Sequence, residues 1–261
     1  MGGKVLDITV MLFRLGEGML KSILIFGLTL IFSLPLGLLV SFGRMSTWAP
    51  FRCFEKIECR CSGKHLGFKP ILLLKKGCVF VLHGIAGFKP VQFIIKVYIS
   101  IMRGTPLMLQ LMVVYFGPYF IFGIKISLEY NFYAVIIAFV INYAAYFAEI
   151  YRSGIESMPK GQYEAAEVLG YSKAQTFLKI ILPQMIKRIL PPVTNEVITL
   201  VKDTSLAFVV AYAEMFTIAQ RIASKESSVL PFAGAAIFYY VFNLIVAVTM
   251  EKAEKGLAYY Q

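Results

Sequence analysis

The sequence predicts an all-α, polytopic membrane protein with about five transmembrane helices. Three observations predict it. Of 261 residues, 58% are hydrophobic and 16% charged, whereas soluble domains carry roughly 45–50% apolar and about 25% charged residues. The apolar residues gather in runs long enough to cross a bilayer, and the basic residues gather between particular runs. The formal net charge of +11 therefore reads as membrane topology rather than as a nucleic-acid surface.

A helix crossing about 30 Å of hydrocarbon needs ~20 mostly apolar residues. Five regions meet that demand. The first is Met19 to Phe42. The second is Pro106 to Ile124, with "VQFIIKVYISIM" ahead of it as an earlier start. The third is Tyr130 to Ile150. The fourth is broken: "ILPPVTNEVITLV", then Lys202-Asp203, then "TSLAFVVAYAEMFTIA". The fifth is Pro231 to Met250. Charges run through the first residues and no small-residue cleavage site precedes an apolar core, so no removed signal peptide is expected.

The loops set an expected orientation. Arg44, Arg52, Lys56, Arg60, Lys64, Lys69, Lys75, Lys76 and Lys89 lie between the first two spans. Arg152, Lys160, Lys173, Lys179, Lys187 and Arg188 lie between the third and fourth. The other two loops carry only Lys125 in one and Arg221 and Lys225 in the other. Basic loops stay cytoplasmic, which puts the N-terminus outside and the C-terminus inside. On this reading residues 1–18 form an extracytoplasmic segment and 19–261 a transmembrane domain.

Between the third and fourth spans lies "GQYEAAEVLGYSKAQTFLKIILPQ", Gly161 to Gln184. Met158-Pro159-Lys160-Gly161 is turn chemistry, and "QYEAAEVL" is a strong local helix former. Ala165, Val168 and Leu169 share one face of that helix; Glu164, Glu167 and Tyr171 share another. Gly170 can take the left-handed stop. Ser172 followed by Gln175 is a capping box for a second helix, apolar at Phe177, Leu178, Ile181 and Leu182. Pro183 is expected to close or kink it. The small surface at Ala165-Ala166 is expected to let another protein come close; an amphipathic hairpin lying on the bilayer is the alternative.

Glu164-Ala165-Ala166, three residues, Gly170, nine residues, Ile180, one residue, Leu182-Pro183 resembles the EAA signature of ABC importer permeases at every position. "SIMRGTPLMLQL", "AAYFAEIYRSGIESMPKGQYEAAEVLG" and "LVKDTSLAFVV" are similar to the polar amino acid permease family, the histidine, glutamine, arginine and cystine uptake group. The resemblance is loose over Met11 to Arg44 and close from Lys89 to about Tyr260. It implies a type I importer fold in the bacterial cytoplasmic membrane. It also implies two paired permease subunits, two cytoplasmic ATPase subunits and an extracytoplasmic solute-binding protein. In that family the EAA helix couples to the ATPase, which here assigns the coupling role to Glu164, Ala165, Ala166, Gly170, Leu182 and Pro183. The chain holds no GxxxxGK[ST] loop to cradle phosphates. It is therefore expected to be no enzyme and to carry no cofactor or metal, with ATP and Mg on the partner. An importer for another solute, such as methionine or a quaternary amine, is an alternative; a non-transporting scaffold or sensor is another.

Ionisable groups inside a span cost ~2.5–3.5 kcal/mol on insertion scales and usually face a pathway or a partner. The candidates for a substrate pathway are Arg103, Gln110, Asn142, Lys202, Asp203 and Glu214, with Glu149, Asn195 and Glu196 beside them. Lys202-Asp203 interrupts the fourth span, as a gate or substrate wall or as helix–helix glue. Arg103 can also be a positive-inside anchor, and Glu149 can pair with Arg152. Thr105-Pro106 reads as an N-cap followed by a proline in the first helical position.

Residues at about 46–88 depart from the rest. They hold Cys53, Cys59, Cys61, Cys78, His65, His83 and Trp48, residue types found nowhere else in the chain. Cys53, Cys59, Cys61 and His65 lack a paired C-x-x-C spacing, so no metal site is assigned, and a cytoplasmic loop disfavours disulfides. "ILLLKKGCVFVL" is too short and too charged to span. This stretch reads as an inserted loop or a local sequence defect.

Overall fold

The structure, a computed structural model, describes residues 7–45, 89–127 and 129–256. The atypical stretch at 46–88 lies outside them. Every regular element among the described residues is helical, as a bilayer demands, because a helix satisfies its own backbone hydrogen bonds. Residues 7–41 and 99–256 belong to one compact unit; residues 42–45 and 89–98 belong to a second.

Helix α1 (Ile8–Arg44) is longer than the expected first span. Asp7 starts it by accepting from the backbone N–H of Thr9 at 3.0 Å. The sequence hid this start behind Arg14, Glu17 and Lys21. All three are exposed, whereas Met11, Leu15, Gly18 and Met19 form a buried stripe at helical spacing. That stripe packs with Met215, Ala219 and Ala235 into a separate apolar cluster, so tertiary packing carries the helix beyond the apolar run. The segment expected as extracytoplasmic, 1–18, thus includes about three turns of helix from Ile8 on.

Helices α2 (Pro90–Gly104) and α3 (Leu107–Phe122) meet at a bend of 111°. Helix α4 (Tyr130–Glu156) is the third span, longer than expected at its C-terminal end. A short helix α5 (Lys160–Val168) follows, then α6 (Lys173–Thr176). The chain runs on through a π-helical turn, Phe177–Ile181, into α7 (Leu182–Asp203). A 3-10 stretch, Thr204–Val210, leads to α8 (Met215–Glu226) at a 56° bend, and α9 (Leu230–Gly256) ends the fold. Among the described residues three helices, α1, α4 and α9, are long and apolar enough to cross a membrane, and counting each bent pair as one span gives up to five.

Helix α4 is the centre. Val135, Ala138, Phe139, Tyr143 and Phe147 are buried and join Leu111 of α3, Met185 to Val201 of α7, and Val246 of α9 in the main core. Helix α7 packs against both α4 and α9. Gly37 lets α1 come close to α4: a Cβ there would lie 2.8 Å from Phe147 Cβ and 3.1 Å from the Ala144 carbonyl oxygen. Large apolar residues such as Phe120, Ile121, Phe122 and Ile237 are exposed on the outside, a normal surface for a protein whose solvent is lipid.

Candidate functional site

The segment between α4 and α7 has the corner that its sequence predicts, in more detail. Helix α5 ends in a Schellman motif. The Tyr171 N–H donates to the Ala166 carbonyl at 3.0 Å and the Gly170 N–H to the Glu167 carbonyl at 2.9 Å. Gly170 stands at φ +75°, where a Cβ would cost roughly 1–2 kcal/mol. Immediately after it, Ser172 and Gln175 form a complete capping box: the Ser172 N–H donates to Gln175 Oε1 at 2.9 Å and the Gln175 N–H to Ser172 Oγ at 3.3 Å. Two helix termini are thus closed back to back.

Pro183 does not close the second helix. It sits in the first turn of α7, after the π turn in which the Leu182 N–H reaches back to the Phe177 carbonyl. Proline lacks the N–H that a regular ladder would need there, and the wider turn carries the chain past that gap.

The corner is tied to the membrane-embedded helices. Arg188 Nη1 donates to the Ser157 carbonyl at 2.7 Å, and Gln184 Nε2 approaches Gln162 Oε1 at 3.4 Å. Met158, Ala166, Thr176 and Ile181 are buried beneath it. Ala166 is 1% exposed, so its small size serves packing within this chain and not the approach of another protein. Glu164, Ala165 and Gly170 are at the surface; Leu182 and Pro183 are half-buried. Val168 and Leu169 are 87% and 72% exposed, an apolar tip outside the apolar spans. Partial burial raises the Tyr163 phenol above its ordinary pKa.

The intramembrane candidates fall into two clusters and one isolated group. Pro106 cannot donate to the Met102 carbonyl, which would be its partner in a continuous helix. Gln110 Nε2 and Asn142 Nδ2 donate to that carbonyl instead, at 2.9 and 3.1 Å, and Asn142 also donates to Gln110 Oε1 at 2.9 Å. Thr105 is not an N-cap. Pro106 occupies that position with no side-chain cap, and Thr105 Oγ1 donates to the Ile101 carbonyl at 2.8 Å while accepting from Gln110. The proline makes α3 start a residue later than a Thr-Pro pattern suggests. The Arg103 guanidinium lies 5.4 Å from the centre of the Tyr146 ring, a cation–π contact.

Asp203, at the end of α7, accepts from the Tyr143 hydroxyl at 2.7 Å, and Lys202 beside it is exposed. Glu214 is elsewhere and fully buried. It caps α8, accepting from the backbone N–H groups of Phe216 and Thr217 at 2.7 and 2.6 Å, from Thr217 Oγ1, and from the Tyr239 hydroxyl. These bonds fix it as the cap of α8. Glu149 pairs with Arg152, which also pairs with Glu156. The sequence reading missed Tyr143 and Tyr146. Their spacing from Asn142 in "NYAAY" places all three within about one helical turn, which is the signal that was available.

Comparison with known proteins agrees with this architecture. Residues 82–259 match the family described as "Binding-protein-dependent transport system inner membrane component". The chain is 37% identical over 188 residues to the arginine transport system permease protein ArtQ of Bacillus subtilis, covering 72% of this chain and 84% of that one. It is 34% identical over 174 residues to the L-cystine transport system permease protein TcyB of the same organism, covering 66% and 73%. The solved crystal structure of an amino acid ABC transporter with histidines superposes with a TM-score of 0.73 at 26% identity, covering 98% of this chain and 99% of that one. The fold is that of a type I importer permease, all-α and multi-pass. With more than half of its length matched, the chain belongs to the family of binding-protein-dependent transport system inner membrane components.

Proposed function

We propose that this permease subunit serves an ATP-driven importer of polar amino acids, with its N-terminus outside and its C-terminus inside. The observation that carries the coupling role is the corner itself. Helix α5, stopped at Gly170, offers Ala165, Val168 and Leu169 outward on a segment that lies outside the apolar spans and among lysines. An apolar tip with no lipid to cover it suits the groove of a cytoplasmic ATPase subunit. Such tips in a soluble setting usually mark a partner. Leu182 and Pro183 then return the chain to the bilayer. The relatives' named solutes, arginine and cystine, support an amino acid as cargo.

On this reading the chain has no catalytic centre of its own, and ATP and Mg sit on the partner. A second permease subunit completes the pathway, and a solute-binding protein delivers cargo outside. Arg103, Lys202 and Asp203, at the two breaks in the spans, line that pathway, while Gln110 and Asn142 support it.

The test is co-purification of the permease with its ATPase subunit, followed by hydrolysis assays with and without loaded binding protein. Hydrolysis should rise on addition of the loaded binding protein. Gly170→Val, which strains the left-handed corner, should weaken ATPase association. Undiminished association in that variant would sink the coupling role. Uptake measured with a panel of labelled amino acids identifies the cargo.

A further inference from the structure

Both broken spans are bonded to the same turn of the central helix. Asn142 holds the Met102 carbonyl that Pro106 leaves without its helical donor. Tyr143, the next residue, holds the Asp203 carboxylate at the junction of α7 with the 3-10 stretch. Tyr146, in the same turn, lies against Arg103. Asn142 and Tyr143 are 4% and 2% exposed, so these bonds are shielded from competing water. The segments beyond the two breaks also touch each other, since α3 packs on Thr204–Val210. The contacts form a closed ring: turn 142–146, first break, α3, 3-10 stretch, second break, and back to the turn.

We propose that Asn142 and Tyr143 are positioning residues for transport, which fix Arg103 and Asp203 at a set separation and make the two breaks move as one body. The physical reason is that each break is hydrogen-bonded to α4 through one of these two side chains. With Pro106 in place, the Met102 carbonyl has no helical donor and is held by the side-chain amides of Gln110 and Asn142; Asn142 also holds Gln110 Oε1, so it ties the end of α2 and the start of α3 together to α4. The corner of α2 and α3 therefore follows Asn142 wherever α4 goes. The Asp203 carboxylate follows Tyr143 in the same way. A displacement that parts one break from the turn strains the other through the contact of α3 with the 3-10 stretch.

This proposal rests on the transport reading above, and its test separates the two. The full permease is assembled with its ATPase in lipid nanodiscs as wild type, Tyr143→Phe and Asn142→Leu. Amide hydrogen exchange is followed in Leu107–Gln110 and in Thr204–Val210. Each variant should raise exchange by about tenfold in both segments, the size expected from one lost strong hydrogen bond. Exchange raised only at the variant's own break would overturn the single-body claim. In proteoliposomes supplied with binding protein, uptake of radiolabelled arginine, glutamine or cystine by Tyr143→Phe should show a KM raised about tenfold with kcat changed less than about twofold. Equal KM in wild type and variant would overturn the positioning role. Tyr143→Phe keeps the ring and its packing, so it carries the test even where Asn142→Leu does not fold. Failure of the wild type to hydrolyse ATP faster with loaded binding protein would refute the transport reading, while the exchange pattern would still decide whether the breaks are joined.

Discussion

Adding one methyl group at Gly37 should destabilise the protein, and the same change at Gly27 should not. Both glycines lie inside α1, and replacing glycine by alanine in a helix interior gains about 1 kcal/mol from propensity alone. That gain is common to both sites and cancels in the comparison. What differs is space. At Gly27 an added Cβ meets nothing within 4 Å; at Gly37 it lies 2.8 Å from Phe147 Cβ, 3.1 Å from the Ala144 carbonyl oxygen and 3.3 Å from the Ala148 nitrogen. Phe147 is fully buried and two of the three atoms are backbone of α4, so no side chain can swing aside. Helix α1 must retreat from α4 by several tenths of an ångström. Overpacking of this kind costs roughly 1–3 kcal/mol. The two variants should therefore differ by about 2 kcal/mol, or roughly 4–8 °C in melting midpoint for a chain of this size. Purified permease in detergent, heated and then resolved by size-exclusion fluorescence, reads that difference directly. Equal midpoints for Gly37→Ala and Gly27→Ala would refute the close packing of α1 on α4.

Glu214→Ala removes the acceptor of two backbone N–H groups and two hydroxyls, and should lower stability by about 2–3 kcal/mol, read as a lower melting midpoint. Glu214→Gln keeps an acceptor oxygen and should lose less. Ser172→Ala opens the capping box and should cost about 1 kcal/mol, seen as faster protease cleavage between Gly170 and Thr176. Val168→Glu places a charge on an 87% exposed tip. It should leave the melting midpoint unchanged while lowering ATPase affinity at least about tenfold, measured by titrating the ATPase subunit onto immobilised permease.

The EAA corner was legible almost to the residue, because it is local. A left-handed glycine, a Ser/Gln capping box and a run of helix formers act over a few positions, and each is written in the chain. The third span was legible because α4 is apolar on most faces. The start of α1 was not. Arg14, Glu17 and Lys21 broke the apolar run, and only contact with Met215, Ala219 and Ala235 shows that the opposite face is buried. The break at Thr105-Pro106 was legible as punctuation but not as geometry, since Gln110 and Asn142 decide where the Met102 carbonyl goes. Ala166 was taken for an outward residue because helical spacing gives relative directions around an axis and no absolute one. The role of Glu214 as the cap of α8 was not legible, because Tyr239, which bonds it, is distant in sequence and the start of α8 carries no apolar break.

The local bonds that close both helix ends between Ala166 and Thr176 bear on timing. A surface loop that must order itself each time it meets a partner surrenders roughly 1–2 kcal/mol of backbone freedom per residue at every encounter. Here that loss falls once, when the permease folds. Whatever seats on the Val168–Leu169 tip meets a shape already fixed, so repeated loading and release through a working cycle need not repeatedly freeze and thaw the surface between them.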